Sequence, residues 1–433
     1  MDLYVAVIIV FGLLFVLLAL GLWMGAALMV VGFLALNVFS PHSPGMIMAT
    51  ITWTANNSYA LTCLPLFLLM GDILYHSALS ENIFAASAPW FSRVPGRLLH
   101  ANILACTMFA AISGSSAATT ATIGKITLRE FKKRNYDSSL SIGSLAGAGT
   151  LGLLIPPSII LIVYGSLTGQ SVGRLFMAGI IPGLIVAMLL SGYIAIRATL
   201  RAEIAPTTEQ YTWKDRIYSL PKLLPAFSII FLVLGGLYLG WFTPTEAAAI
   251  GVAGALVVSY ASRRLNYKVL VNSVKAALET TCMILLIYTG AALLTTAVAY
   301  PGIPEKIAEG ITAWGLSRYA VLIIFGAFYL MLGCLFEGVS MLVMTLPIVF
   351  PTIVGLGFDP IWFGIYITIL IEVAQITPPV GINLYVIQNL TGRDIGEIIK
   401  ATVPFFFLLL AGVTIITIWP QLALWLPQIM RGH

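Results

Sequence analysis

Two kinds of interruption punctuate the long apolar runs of this chain, and both could do chemistry. The first is a Gly-Ser turn, Ile112-Ser113-Gly114-Ser115-Ser116-Ala117-Ala118-Thr119-Thr120, echoed downstream by Glu337-Gly338-Val339-Ser340. The second is a proline pair, in Gly152-Leu153-Leu154-Ile155-Pro156-Pro157-Ser158 and again in Gln375-Ile376-Thr377-Pro378-Pro379-Val380-Gly381-Ile382-Asn383. Proline has no N–H, so each pair leaves upstream carbonyls without helical donors. In hydrocarbon an unsatisfied backbone group costs several kcal/mol, so such breaks persist only where they are buried in protein or line a cavity. Freed carbonyls and hydroxyls can ligate a cation such as Na⁺, and free amides at helix N-termini can hold an anion. Paired breaks in two halves of one chain are the sequence pointer to a transporter's binding site. Taken alone, the Gly-Ser turn fits a small-residue packing motif equally well.

Acidic residues add two further candidates. Glu337 lies at the second turn and Glu372 inside an apolar run. An acid at a helix centre costs roughly 2.5–3.5 kcal/mol on insertion scales, so each has either a functional role or a structural hydrogen bond. Asp72, Glu246 and Glu279 fall near predicted helix ends, where snorkelling or capping suffices. No Lys or Arg lies deep in an apolar run, so an anion would be held by hydroxyls, amides, helix dipoles and bound cations.

The elements that position these residues follow from composition. Of 433 residues, 59% are hydrophobic and 9% charged, against about 25% charged in a soluble domain. A soluble fold and a disordered chain are both excluded, and recurrent apolar runs near 20 residues indicate a helical membrane protein rather than a barrel. Cys63, Cys106, Cys282 and Cys334 have no paired spacing, and His42, His76, His100 and His433 are isolated, so neither a disulfide framework nor a histidine metal cluster is indicated. No G-x-S-x-G, H-E-x-x-H, P-loop or C-x-x-C motif occurs. The chain is therefore expected not to be an enzyme, and transport must draw on an ion gradient. Met1-Asp2-Leu3 lacks the basic start of a cleaved signal, so the first apolar run is expected to be a retained helix.

Internal similarity at an offset near 220 divides the chain. Thr62-Cys63 recurs as Thr281-Cys282, Gly71 as Gly290, Pro156-Pro157 as Pro378-Pro379, Gly173-Arg174 as Gly392-Arg393, and Arg97 as Arg318. Two repeats are expected, over 1–216 and 217–433. The first has scaffold helices within 3–79 (3–20, 23–40 and 57–79), a re-entrant hairpin at 98–123, a broken helix at 139–171 and a helix at 175–200. The second has scaffold helices within 223–299 (223–241, 246–261 and 276–299), a hairpin at 318–356, a broken helix at 361–391 and a helix at 402–422. If the Gly-Ser segments enter and leave on one side, each half crosses five times and the halves are inverted. With the first hairpin's flanks in the cytoplasm, 18 of the 22 Lys and Arg residues fall inside, leaving Arg174, Lys306, Arg318 and Arg431 outside, as the positive-inside rule requires. The net charge of +5 is thus a topology signal and no sign of nucleic acid. Small-xxx-small pairs such as Gly21/Gly25 and Gly143/Gly147 are expected to serve packing.

With these residues in view, the run from Ile112 to Gly183 (Ser113-Gly114-Ser115-Ser116-Ala117, Ile155-Pro156-Pro157-Ser158-Ile159, Gly179-Ile180-Ile181-Pro182-Gly183) resembles the large membrane subunit, the DctM-like M subunit, of tripartite ATP-independent periplasmic (TRAP) transporters. The second half, with Glu337-Gly338, Glu372 and Thr377-Pro378-Pro379-Val380-Gly381-Ile382-Asn383, is similar to the same subunit. Asp72 departs from the pattern, since many members carry Glu after that glycine. The resemblance implies an elevator-type, sodium-driven importer in a bacterial or archaeal inner membrane. Its substrate would be a small organic anion: a dicarboxylate, sialic acid, sugar acid, other carboxylate or sulfonate. A soluble periplasmic substrate-binding protein would deliver it, and a small four-helix membrane subunit would brace the scaffold. Because the chain begins with the large subunit, the small one is expected as a separate polypeptide. Two Na⁺ sites are implied, one at Ser113, Gly152, Ile155 and Pro157, the other at Gly338, Ala374, Thr377 and Pro379. Ser116, Thr119, Ser158, Ser340 and Asn383 are the implied substrate contacts. A stand-alone ion-coupled anion transporter of the same broad fold is the alternative.

Overall fold

The computed structural model describes residues 3–206, 211–303, 306, 309–310 and 315–429. Arg431, counted above among the outer cations, lies outside the described residues, as do Met1, Asp2 and His433. Among the described residues the chain is helical and contains no strand. The first half comprises α1 (Leu3–Ala19), α2 (Met24–Phe39), α3 (Pro44–Asn56), α4 (Cys63–Tyr75), α5 (Leu79–Phe91), α6 (Leu98–Ser113), α7 (Ser116–Lys133), α8 (Ser138–Thr150), α9 (Ile159–Thr168) and α10 (Val172–Leu200). The second comprises α11 (Trp213–Tyr238), α12 (Pro244–Ala261), α13 (Tyr267–Ala299), α14 (Arg318–Gly333), α15 (Gly338–Gly355), α16 (Pro360–Gln375), α17 (Ile382–Thr391), α18 (Ile395–Ile418) and α19 (Gln421–Ile429).

Six of these helices (α10, α11, α12, α13, α15 and α18) are long and apolar enough to cross a membrane, and the bent pair α3 and α4 makes a seventh. The protein is a multi-pass membrane protein. Each expected hairpin is a pair of helices meeting at the expected turn, and each expected broken helix is two pieces meeting at the proline pair. Both Pro-Pro bonds are cis. Helix boundaries correspond between the halves: α6, α7, α8 and α9 recur as α14, α15, α16 and α17.

Among the described residues the correspondence fails at α3 and α4. Where the second half runs α13 unbroken for 33 residues, the first half divides into α3 and α4 across a 54° bend. The apolar pattern places the start of this helix at 57, whereas the structure has helix over Pro44–Asn56 as well. Pro44 starts α3 at a first-turn position, where its missing N–H costs nothing, and the Thr and Asn residues that follow lowered its apparent hydrophobicity. A similar shortfall recurs at charged ends. Helix α7 continues to Lys133 rather than 123, α13 begins at 267 rather than 276, and α18 at 395 rather than 402. Glu279 accordingly sits well inside α13 and is exposed there, not at a helix end.

The two halves interlock. Helix α2 lies along α13, and α8 along α18. Glycines permit these close approaches: a methyl on Gly290 would come within 2.8 Å of Gly25 O. Gly147 likewise packs against Phe405. Gly21 does not pack. It faces open space and supplies a left-handed turn (φ +82°) between α1 and α2, which an L side chain would strain.

Candidate substrate and cation site

The first hairpin ends because Gly114 takes a left-handed conformation (φ +64°) after α6. Ser115 then caps α7, its hydroxyl accepting from Ala118 N–H. The tip this creates is packed against the first break. A methyl on Gly114 would come within 2.6 Å of Pro157 O, and one on Gly152 within 2.5 Å of Ser115 O and 2.8 Å of Thr119 Oγ1. Ser113 Oγ lies 2.9 Å from Thr119 Oγ1, which donates to Ser115 O at 2.8 Å. Hydroxyl and carbonyl oxygens therefore crowd one small volume.

The prolines explain which oxygens are free. Pro156 and Pro157 have no N–H to offer the carbonyls four residues earlier, Gly152 and Leu153. Ser158 restores one of these bonds, its hydroxyl donating to Leu153 O while also capping α9. Among the described residues no hydrogen-bond donor is seen at Gly152 O. The whole segment 151–158 is buried, which makes a free carbonyl there costly unless a ligand meets it.

The second break is built differently. Ala374 O accepts from Thr377 N–H at 3.1 Å, Thr377 Oγ1 donates to Val373 O at 2.7 Å, and Tyr385 OH donates to Pro379 O at 2.9 Å. Pro378, Pro379 and Val380 are exposed. Glu337 caps α15, accepting from Val339 N–H (3.0 Å) and Ser340 N–H (3.3 Å). Gly338 packs on Ile371 and Gln375, so the tip does meet the end of α16.

Each hairpin's second arm also crosses to the other half: α7 packs on α17 and α15 on α9. At the first crossing Asn383 donates to Ser116 Oγ at 2.7 Å. At the second crossing a methyl on Gly338 would lie 3.6 Å from Ile160 Cδ1. A polar tie in one half is thus an apolar contact in the other. Asn383 Oδ1, Thr120 Oγ1 and both oxygens of Glu372 are buried without hydrogen bonds. Glu372 is fully buried in α16, beside the main chain of Leu154 in the first break.

A cavity of about 330 Å³ opens beside the first tip. Ser113 and Ser115 line it with Ala118 and Ala121 of α7, Gly71, Asp72 and Tyr75 of α4, and Ala276, Ala277 and Thr280 of α13. Ser116, Thr119, Ser158, Ser340 and Asn383 are not on its wall; all five are buried. Asp72, Ser115 and Thr280 were not among the sequence candidates. The repeat-matched Gly71 was the available signal, since its bare Cα lets α4 approach Ser113 O. The Asp72 carboxylate lies 3.4 Å from His76 Nδ1, whereas Glu246 forms a capping box with Thr243, as a helix-end acid should.

Known proteins resemble this chain over most of its length. Residues 11–422 match the model of the tripartite ATP-independent periplasmic transporter, DctM component. The chain is 35% identical over 402 residues to the C4-dicarboxylate TRAP transporter large permease protein DctM of Pseudomonas aeruginosa, covering 92% of each. It is 30% identical to the isethionate TRAP transporter permease protein DctMQ of Oleidesulfovibrio alaskensis, over 90% of this chain and 61% of that one. Its fold resembles the YdaH transporter of Alcanivorax borkumensis, with a TM-score of 0.63 at 16% identity over 88% of each chain. The chain belongs to the DctM family of TRAP transporter large permeases, membrane subunits that carry organic acids.

Proposed function

We propose that this subunit imports a small organic anion, a carboxylate or sulfonate, across a bacterial or archaeal inner membrane by sodium symport. A periplasmic substrate-binding protein delivers the anion, and a small four-helix membrane subunit completes the permease. The names of the relatives, C4-dicarboxylate and isethionate permeases, support that substrate class. The observation that carries the coupling is the meeting of the first hairpin tip with the first break, where a buried carbonyl, Gly152 O, has no donor among the described residues and hydroxyls stand beside it.

An all-oxygen, mostly neutral donor set suits Na⁺, a hard cation. Ser113, Gly152, Ile155 and Pro157 would hold one ion. Gly338, Ala374, Thr377 and Pro379 would hold the second once the hydrogen bonds now occupying Ala374, Thr377 and Pro379 are rearranged. Bound sodium supplies positive charge next to the cavity, which no span-depth Lys or Arg provides. The anion would sit in the cavity beside Ser113 and Ser115, with Ser116, Thr119, Ser158, Ser340 and Asn383 setting the surrounding polar framework. Repeats 1–216 and 217–433 would be inverted, and the hairpins and broken helices would move together against the scaffold as an elevator.

Uptake by proteoliposomes containing this chain, its small subunit and the cognate binding protein tests the reading. It should require an inward Na⁺ gradient and all three proteins. Full uptake in sodium-free buffer under a proton gradient would refute sodium coupling. Sodium-driven uptake without the binding protein would favour a stand-alone transporter.

A further inference from the structure

We propose that the face of α7 leading away from the hairpin tip is an anion-conducting vestibule on the cytoplasmic side, with Lys125 and Arg129 as its attracting charges. The inference deepens the reading of the protein as an organic-anion importer and rests on it for the identity of the cargo. The tip cavity is lined by Ser115, Ala118 and Ala121. A second cavity, of about 580 Å³, takes up the same helix one turn later, at Thr122, Lys125, Ile126 and Arg129. Tyr75 lines both cavities, so the two are neighbours in a path that follows α7 away from the tip. Lys125 and Arg129 stand four residues apart, one turn of the same face.

The charges in this path are unbalanced. Its carboxylates are already engaged: Glu81 lies 3.8 Å from Arg264 and Glu130 lies 3.1 Å from Arg134. Asp72, on the inner wall, faces His76. Among the described residues Lys125, Arg129 and Lys133 have no carboxylate within salt-bridge distance. Loop cations that serve only topology need not flank a cavity. Here Lys125 and Arg129 line the outer cavity and also a third, of about 510 Å³, with Lys132 and Arg393. A small carboxylate or sulfonate leaving the tip would therefore meet a rising positive potential toward the cytoplasm. Low-dielectric walls focus such a field and raise the local anion concentration.

The test uses cysteine reactivity and needs no knowledge of the substrate. Ala118→Cys is made in the full complex with Cys282→Ser and Cys334→Ser, since Cys63 and Cys106 are buried. Inside-out vesicles are treated at low ionic strength with 2-sulfonatoethyl methanethiosulfonate and with its size-matched trimethylammonium analogue. Position 118 lies two helical turns, about 10 Å, from Lys125. At that distance one charge changes each reagent's rate about twofold in opposite directions, so the anion-to-cation rate ratio changes about fourfold per charge. The ratio should exceed that of the free reagents, fall about fourfold in Lys125→Gln and further with Arg129→Gln, and recover in Lys125→Arg. Ala121→Cys is the second reporter if Ala118→Cys does not assemble. A ratio unmoved by Lys125→Gln and Arg129→Gln overturns the vestibule and leaves these cations a topology role only. That result is independent of uptake, so the loss of organic-anion transport and the loss of the vestibule are separately detectable.

Discussion

A single methyl group at Gly152 should weaken sodium binding and raise the sodium concentration that transport requires. Built on the backbone, the new Cβ lies 2.5 Å from Ser115 O and 2.7 Å from Ser115 C, where ordinary contact begins near 3.4 Å. Both neighbours are main chain, so no rotamer relieves the clash, and the hairpin tip must retreat from the break by about 0.9 Å. Overpacking of this kind costs about 1–3 kcal/mol. If the retreat withdraws one oxygen from the ion, losing about 1.4 kcal/mol of binding raises the half-saturating sodium concentration about tenfold, and withdrawing two raises it about a hundredfold. The assay is the sodium dependence of proteoliposome uptake, with thermal unfolding in detergent measured alongside. Gly192→Ala in α10 is the control, because nothing lies within 4 Å of its added methyl. It should keep wild-type sodium dependence and gain up to about 1 kcal/mol of helix stability. Wild-type sodium dependence in a well-folded Gly152→Ala protein would remove the tip and break from the cation site.

Other substitutions separate ligand from framework. Ser113→Ala should raise the half-saturating sodium about tenfold with little change in melting temperature, read from the same titration; a silent variant would reassign Ser113 to packing. Asn383→Ala deletes the buried bond to Ser116 and should cost about 1–3 kcal/mol, seen as a lower melting temperature and slower transport. Glu372→Gln keeps the shape of a fully buried acid whose oxygens have no hydrogen bonds, so it should fold at least as well as wild type, whereas Glu372→Lys should fail to accumulate as a monodisperse complex. Cysteines at Asn57, Ile303 and Pro360 should label from the periplasm and those at Lys132, Asp215 and Asn266 only from the cytoplasm; periplasmic labelling at Lys132 would contradict the inverted arrangement.

The pattern of successes and misses has a physical origin. Gly114 and the proline pairs were legible because they act locally: a left-handed φ and a missing N–H change the backbone wherever they occur. Helix ends were legible only to the edge of the hydrocarbon. Helix α7 runs on through Lys125, Arg129, Lys132 and Lys133 because hydropathy marks where the membrane ends, not where hydrogen bonding does. Oxygen atoms that ligate and oxygen atoms that cap look alike in a sequence. Glu337 proved to be an N-cap, and Ser158 caps α9 while it repairs a carbonyl of the break. The contrast between a buried first break and an exposed second one was hidden for another reason. It depends on which helices of the opposite half cover each proline pair, and the matching motifs carry no trace of that. The cavity wall formed by Asp72 and Thr280 depends in the same way on α4 and α13 meeting the tip from elsewhere in the chain.

Flux of radioactive sodium measured together with flux of the transported anion addresses the central claim most directly. In proteoliposomes holding the complete permease and its binding protein, anion entry should bring sodium with it, at about two ions per anion for two sites, and at subsaturating sodium Gly152→Ala should lower both fluxes in the same proportion. Anion uptake at the wild-type rate with no accompanying sodium entry would contradict the assignment of the hairpin tips and proline breaks as cation sites.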